Sequence, residues 1–187
     1  FQYMLERNLC IDDTDYYWSP SLGYRDRLII PFYYEKRIVG WTARTVTADK
    51  NPKYLTEVQP GFVYGLDEQG HGKVFAIVCE GQLDAIHVEG TGLGGSEISD
   101  QQAMLLNRLQ KQIIVVPDRD SAGSKLVERA IELGWSVSMP EWDNGIKDVN
   151  DAVVKYGKLP TLLSILQNAT SSKIKIEMQR RKLVNRI

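Results

Sequence analysis

The stretch that decides the fold is VFAIVCEGQLD at residues 74–84, with its counterpart IIVVPDRDSAG at residues 113–123. Each begins with an apolar run of buried-strand length and continues into acidic residues and a segment of helical character. Strands that alternate with helices predict right-handed crossover units on a largely parallel sheet. Because ligands of open α/β sheets bind beyond the carboxyl ends of the strands, we expect the acids after both runs to face one crevice if the two strands are neighbours.

The rest of the C-terminal half continues the alternation. The pattern predicts helices at 82–89, 99–110, 121–133, 149–156 and 160–166, and a further strand at 135–139. Ser99 and Gln102 form a capping-box pattern at the start of the second helix, and Gly134 suits the position just beyond the end of the third.

The first seventy residues follow a different pattern. Residues 27–34 and 37–45 are β-branched and aromatic runs separated by Glu35 and Lys36, which predicts a hairpin. Pro31 indicates an edge strand or a bulge. We expect a smaller mixed α+β subdomain at 1–70, an α/β domain at 71–160 and a basic helical segment at 161–187.

Charge is unevenly distributed along a chain whose formal net charge is −1. Residues 25–53 contain seven Lys or Arg against three acids, whereas residues 80–100 contain five acids and no Lys or Arg. This order indicates a surface that meets phosphates, followed by one that collects cations. Residues 173–187 hold six basic residues and one acid, which fits a solvated tail, a partner-binding segment or a nucleic-acid contact.

Several classes of protein are disfavoured by the composition. Cys10 and Cys79 lack the spacing of a zinc site and are interpreted as reduced thiols of a cytoplasmic-type protein. No apolar run approaches the roughly 20 residues of a membrane span, and no signal peptide is visible. The chain begins at Phe1 rather than Met, so we expect a fragment with flanking domains missing.

The acidic residues after the two apolar runs are candidate metal ligands. Glu80, Asp118 and Asp120 would repel one another in a shared crevice unless a cation compensated, and Asp148 could supply a further ligand. Magnesium prefers such oxygen ligands and serves phosphoryl transfer. Taken singly, each acid also fits an ordinary helix start or N-cap. The combination is more specific than any one of them.

That combination, Glu80-Gly81-x-x-Asp84 followed by Asp118-x-Asp120-x-x-Gly123, resembles the toprim domain. This domain is shared by bacterial and phage primases, type IA and type II topoisomerases, some nucleases and recombination-mediator proteins. The resemblance implies that Glu80 is a catalytic glutamate, as metal ligand or general acid/base, and that Asp118 and Asp120 act in catalysis by binding Mg²⁺, with Mn²⁺ as a possible substitute. Asp84 is a secondary acid. The motif glycines are Gly81, Gly94, Gly95 and Gly123.

Four segments before the toprim-like region resemble the polymerase core of bacterial-type DNA primases, which make RNA primers for DNA replication: residues 26–32 (DRLIIPF), 39–44 (VGWTAR), 52–55 (PKYL) and 63–66 (VYGL). The resemblance implies that Arg44 and Lys53 contact phosphates of a single-stranded DNA template or of ribonucleoside triphosphates. Arg25 belongs to the same basic surface.

The chain also departs from that family. Lys147-Asp-Val-Asn-Asp151 stands where bacterial enzymes have Asp-Pro-Asp, and it is closer to the phage primase-helicase form. This makes Asp148 a fair metal candidate and Asp151 a poor one. The family's zinc ribbon and its helicase or helicase-interacting parts are absent from the sequence, so a replicative helicase would be contacted through missing regions.

Two other functions remain open at this point. One is a toprim nuclease or topoisomerase fragment, although no tyrosine lies in the context of a topoisomerase nucleophile. The other is a non-catalytic scaffold that binds single-stranded DNA through residues 25–53 and uses its acids as structural caps.

Overall fold

The computed structural model describes residues 1–47, 50–120 and 123–184, with side chains described as far as residue 181. A short helix, α1 (Gln2–Glu6), precedes an antiparallel sheet of three strands, β1 (Arg27–Tyr34), β2 (Arg37–Thr45) and β3 (Tyr54–Glu57), in the order β1-β2-β3. The predicted hairpin is confirmed with the strand limits expected from the sequence.

The turn of this hairpin explains its register. Glu35 and Lys36 both have positive φ, 50° and 61°, as a two-residue hairpin loop requires. Tyr34 then pairs with Arg37, and the register shifts between Phe32 and Tyr33. The predicted edge position of Pro31 is confirmed, because β1 lies at the edge of its sheet.

A second sheet forms the C-terminal half. It contains β4 (Phe75–Cys79), β5 (Thr91–Gly92), β6 (Gln112–Val116) and β7 (Ser136–Val137), all parallel and in the order β5-β4-β6-β7. The pairing of β4 with β6 aligns Cys79 with Val116. The predicted mostly parallel α/β sheet is therefore confirmed, and the two strands that precede the acidic motifs are neighbours.

Six helices accompany this sheet in the described residues: α2 (Gln82–His87), α3 (Asp100–Asn107), α4 (Gly123–Glu132), α5 (Val149–Tyr156), α6 (Lys158–Asn168) and α7 (Lys173–Val184). The capping box at Ser99 and Gln102 is present, and Gly134 has a φ of 71° beyond α4. The expected start of α4 at Ser121 lies outside the described residues.

The hydrophobic core has two parts because alternate residues of the buried strands face opposite sides of the parallel sheet. Ile77 and Cys79 pack on one side, together with Ile30 and Phe32 of the antiparallel sheet. Residues of the other face pack against α3 and α4. The first core therefore extends from one sheet to the other. The predicted division of the chain at residues 70 and 160 stays a prediction.

Two expectations about the chain as a whole can be compared with the structure. Cys10 is exposed and Cys79 buried, and both are free thiols. Among the helices of the described ranges, none has the length and apolar character needed to traverse a bilayer.

Candidate metal and phosphate site

The acidic motifs meet at the carboxyl ends of β4 and β6. Glu80 directly follows β4, and Asp118 lies two residues after the end of β6. The Oε1 atom of Glu80 accepts a hydrogen bond of 3.1 Å from the backbone N–H of Asp118. The structure thus brings together two residues that are 38 positions apart in the sequence.

Asp84 and Asp148 join the same cluster from two helices. Asp84 is buried on α2, and its Oδ1 atom accepts a hydrogen bond of 2.8 Å from the backbone N–H of Asn150. Asp148 is the N-cap of α5, where it accepts a bond of 2.7 Å from Asp151 N–H. Charge on Asp84 and Asp148 acts on Asp118, so all three belong to one electrostatic unit.

Asp120 lies at the exposed edge of this cluster. Its Oδ1 atom accepts a hydrogen bond of 3.0 Å from the backbone N–H of Gly123, the first residue of α4. Asp120 also contributes to the electrostatic environment of Glu80 and Asp118. The side chain is therefore near the cluster and accessible to solvent.

Burial and mutual repulsion make it unfavourable for all four carboxyl groups of this cluster to be ionised at once. Burial, followed by the charges of Asp84 and Glu80, raises the pKa of Asp118 to about 8. Burial also raises the pKa values of Glu80, Asp84 and Asp148. A bound cation would relieve both effects, because it favours the charged form of each neighbour.

Two glycines leave space where the chain passes the acids. A Cβ atom on Gly123 would lie 2.4 Å from the carbonyl oxygen of Asp118 and 3.3 Å from Oε1 of Glu80. A Cβ atom on Gly81 would lie 2.7 Å from Oδ2 of Asp84. These two motif glycines therefore keep space that a side chain would remove.

The two other motif glycines differ from each other. Gly94 has a φ of +76°, and a Cβ atom there would lie 3.2 Å from Nε2 of Gln82. A Cβ atom on Gly95 would meet nothing within 4 Å. Both lie in the loop after β5.

The donor set fits a hard divalent cation that keeps part of its coordination for other ligands. All four candidate ligands carry carboxylate oxygens, which Mg²⁺ prefers. In residues 1–47, 50–120 and 123–184, however, no three His, Cys, Asp or Glu side chains stand ready to hold a metal ion together. Magnesium commonly takes only one or two carboxylates, with waters and substrate phosphates completing its shell. The arrangement suits that mode better than a closed protein cage.

Lys53 is the predicted phosphate-binding residue that lies beside the acids. Its side chain is exposed, and the charges of Asp148 and Asp118 both act on it. Burial of its stem, followed by the nearby charge of Arg44, lowers the pKa of the ammonium group. A cation between an acidic cluster and a second cation is well placed to meet an anionic ligand.

Arg44 occupies a more enclosed position than the sequence indicated. It is 7% exposed, and its guanidinium lies 4.6 Å from the centre of the Tyr54 ring. Its Nε atom donates to the hydroxyl of Tyr3 at 3.1 Å. Arg25 lies on the exposed turn before β1, where its Nε atom is 3.9 Å from a carboxylate oxygen of Asp26. Within the described residues, no contact joins Arg25 to the acidic cluster.

Two arginines that were not predicted from the sequence donate hydrogen bonds to the backbone segments that carry site residues. Arg27 is 3% exposed and donates to the carbonyl oxygens of Ala43, Pro52 and Lys53, which fixes the loop that carries Lys53. Arg119 donates to carbonyl oxygens of residues 140–146, the segment that leads to Asp148. The sequence offered a hint only for Arg119, because it stands between two motif aspartates.

Comparison with known proteins supports this description. A family model described as Toprim-like matches residues 77–153. The DNA primase of Synechococcus elongatus is 35% identical over 126 residues, which cover 58% of this chain and 18% of that protein. The DNA primase of Clostridium acetobutylicum is 27% identical over 167 residues, which cover 79% of this chain and 28% of that protein. The chain thus spans between about a fifth and a little over a quarter of these relatives.

Structural similarity extends over nearly the whole chain. The DnaG primase catalytic domain bound to single-stranded DNA aligns with a TM-score of 0.75 and 18% identity, covering 97% of this chain and 75% of that one. At this identity the match concerns the fold, and it includes both the antiparallel and the parallel sheet. The chain is therefore similar in sequence to bacterial DNA primases, matches a Toprim-like family model at residues 77–153 and has the fold of the primase catalytic core.

Proposed function

We propose that this chain is the catalytic core of a DNA primase that makes short RNA primers on a single-stranded DNA template from ribonucleoside triphosphates. The observation that carries the proposal is the meeting of Glu80, Asp84, Asp118 and Asp148 at one sheet edge, with Lys53 beside them. In the cell, the activity would belong to replication in the cytoplasm of a bacterium or a phage-infected host, with a replicative helicase engaged through other regions.

Glu80, Asp118, Asp120 and Asp148 would hold Mg²⁺, for which Mn²⁺ is a chemical substitute. Once bound, such a cation supplies activation of the attacking 3′-hydroxyl and stabilisation of the departing pyrophosphate. The chain's own contribution is to keep several carboxylates close together at a defined edge. The bond from Asp118 N–H to Glu80 fixes one of them before any ligand arrives.

The basic residues have a separate task. Lys53 would neutralise phosphate charge of the template or of an incoming nucleotide, since its ammonium group is exposed next to the acids. Arg44 would act at the same border, where its side chain is already ordered against Tyr54 and Tyr3. A contact to Arg25 would require the bound strand to continue toward the turn before β1.

The test is primer synthesis with labelled ribonucleotides, a single-stranded DNA template and Mg²⁺ or Mn²⁺. We expect RNA products from the unsubstituted chain, and loss of these products in Asp118→Ala and Asp120→Ala, both of which should remain folded by circular dichroism. Synthesis that survives in either variant would contradict the assignment of that aspartate.

The same reaction mixture distinguishes the rival functions. A nuclease would shorten the labelled template instead of producing RNA, and a non-catalytic scaffold would bind the template while taking up neither Mg²⁺ nor Mn²⁺. The sequence relatives favour the primase reading, because both of those described above are named DNA primase.

A further inference from the structure

A hydrogen-bond network centred on Asn150 connects α1 to the acidic cluster. Arg7 follows α1 directly, and its Nη1 atom donates to Oδ1 of Asn150 at 2.6 Å across 143 positions of sequence. The Nδ2 atom of Asn150 donates back to the carbonyl oxygen of Arg7 at 2.9 Å. The backbone N–H of Asn150 donates to Oδ1 of Asp84 at 2.8 Å. One residue therefore contacts both the N-terminal segment and a buried carboxylate of the site.

The orientation of the Asn150 amide is fixed by chemistry. A guanidinium can only donate and a carbonyl can only accept, so Oδ1 must face the Arg7 side chain and Nδ2 the Arg7 carbonyl. The second proton of Nδ2 points to Nε2 of His87 at 2.5 Å. That nitrogen accepts, which requires a neutral ring with its proton on Nδ1. Every hydrogen-bonding group of this side chain, which is on a residue 2% exposed, thus has a partner.

The position of Asn150 in α5 gives these contacts a wider effect. Asn150 lies in the first turn of the helix, two residues after its N-cap Asp148. A shift of Asn150 would rotate the start of α5 and move the Asp148 carboxylate, while also releasing Asp84 from the Asn150 N–H. Two candidate groups of the acidic cluster therefore depend on one asparagine.

Arg7 could influence the cluster in a second way, through its charge. It lies 3.8 Å from Asp151, and its charge also acts on Asp148. A positive charge at this place repels a bound cation, so its removal alone would tighten cation binding. Loss of the hydrogen bonds to Asn150 would have the opposite effect, because the carboxylates would lose their fixed positions. The two roles of Arg7 thus predict changes of opposite sign.

We propose that Asn150 is a positioning residue for the divalent-cation site and that Arg7 holds Asn150 in place, so that cation affinity depends on the docking of α1. This inference rests on the metal site put forward under Proposed function. It concerns residues that do not themselves ligate the cation.

The experiment measures Mn²⁺ affinity by electron paramagnetic resonance in the absence of nucleotide and DNA. The unsubstituted chain is compared with Asn150→Ala, Arg7→Ala and the matched control Asn107→Ala, each checked by thermal unfolding. Asn107 also accepts a partly buried hydrogen bond, from Nε1 of Trp135 at 3.0 Å. Asn107 lies on α3, which carries none of the candidate metal ligands. Asn150→Ala changes no charge, so its effect on affinity is not a Coulomb effect.

We expect Asn150→Ala to weaken Mn²⁺ binding by about 10-fold, the lower end of the loss seen when contacts that support a metal ligand are removed. The start of α5, which carries Asp148, would lose its side-chain bonds to Arg7 and His87. Arg7→Ala should weaken Mn²⁺ binding less, since lost repulsion offsets part of the loss, and Asn107→Ala should leave it unchanged. Unchanged affinity in a folded Asn150→Ala variant would overturn the inference. If Asn150→Ala does not fold, the Mn²⁺ affinity of Arg7→Ala tests the inference instead. Unchanged or tighter Mn²⁺ binding by Arg7→Ala would mean that Arg7 acts on the site through its charge alone, and that docking of α1 does not affect cation affinity. Absence of Mn²⁺ binding by the unsubstituted chain would instead remove the proposed metal site itself.

Discussion

The Glu80 carboxylate and the Asp118 backbone amide form a hydrogen bond that joins the ends of two adjacent parallel strands. This bond stabilises the charged form of Glu80, but burial outweighs it, so that the pKa of Glu80 still lies above its ordinary value. The cluster is thus ordered by its own hydrogen bonds, while burial still holds the pKa values of Glu80, Asp84, Asp118 and Asp148 above their ordinary range.

The charge of Glu80 can be separated from its hydrogen bond. Glu80→Gln keeps a carbonyl oxygen that can accept from Asp118 N–H, so we expect an unchanged fold. The melting temperature at neutral pH should rise slightly, because the substitution removes a charge that burial disfavours. Primer synthesis should fall by about 100-fold or more, because a charged ligand or general acid/base is lost. Glu97→Gln, which affects only an exposed ion pair with Lys125, is the matched control and should retain synthesis. Equal activity of the two variants would rule out a catalytic role for Glu80.

Asp118 should destabilise the cation-free protein at neutral pH. Its folded-state pKa of about 8 lies above the ordinary 3.8, so the folded chain binds the proton more tightly than the unfolded chain. The resulting stability is complete below pH 4 and is lost as pH rises toward 8. Asp118→Asn should therefore raise the free energy of unfolding near pH 8 by about 1 kcal/mol, after allowance for partial exposure, with a smaller gain at pH 5.

Urea unfolding at both pH values, with and without Mg²⁺, measures this effect. Magnesium should stabilise the unsubstituted chain more than Asp118→Asn, because the variant lacks a ligand. Asp143→Asn is the control of opposite sign. The hydrogen bond from Lys155 lowers the pKa of Asp143. Asp143→Asn should therefore decrease the free energy of unfolding at neutral pH, whereas Asp118→Asn should increase it. A pH-independent effect of Asp118→Asn would contradict the assigned electrostatics.

Gly123 and Gly95 should respond differently to the same substitution. Gly123→Ala places a methyl group against the Asp118 carbonyl and next to Glu80, so we expect a loss of about 1–3 kcal/mol in unfolding free energy together with weaker Mn²⁺ binding. Gly95→Ala meets open space, and its stability should change by no more than about 0.5 kcal/mol. Thermal unfolding of both variants checks the prediction. Similar losses in the two would show that the close approach at Gly123 is unimportant.

Lys53 should contribute one phosphate contact to DNA binding. Lys53→Ala is expected to weaken binding of single-stranded DNA of any sequence and to lower the slope of log affinity against log salt by about 1. Fluorescence anisotropy with a labelled oligonucleotide at several salt concentrations measures both quantities. Lys125→Ala removes an equal charge on α4, where the lysine pairs with Glu97, and serves as the control. An unaltered slope in Lys53→Ala would exclude the contact.

Much of the fold could be predicted because it depends on local patterns. The hairpin strands and α5 have the limits expected from the sequence, since each is bounded by a turn or a cap that is visible in it. The strand expected at residues 135–139 is shorter, Ser136–Val137, because only these residues pair with β6. Strand β5, Thr91–Gly92, is too short to produce a recognisable pattern, and it depends on its pairing with β4 and on the bridge from Tyr64.

The acidic part of the candidate site was also accessible from the sequence, because strand ends carry their side chains to one sheet edge. Its supporting contacts were not. Three of the residues that make these contacts bind groups far away in the chain: Arg27, Arg119 and Asn150. Residue spacing in the sequence does not predict such partners. Arg44 looked like a surface cation, yet the fold covers it with Tyr3 and Tyr54.

The central claim is that the acids at the ends of β4 and β6 share a divalent cation. Anomalous diffraction from a crystal of the chain soaked in Mn²⁺ tests it most directly. We expect a peak within about 2.0–2.4 Å of a carboxylate oxygen of Asp118 and of at least one of Glu80, Asp120 and Asp148. A crystal that takes up Mn²⁺ elsewhere, or leaves this edge of the sheet empty at saturating concentration, would contradict the account.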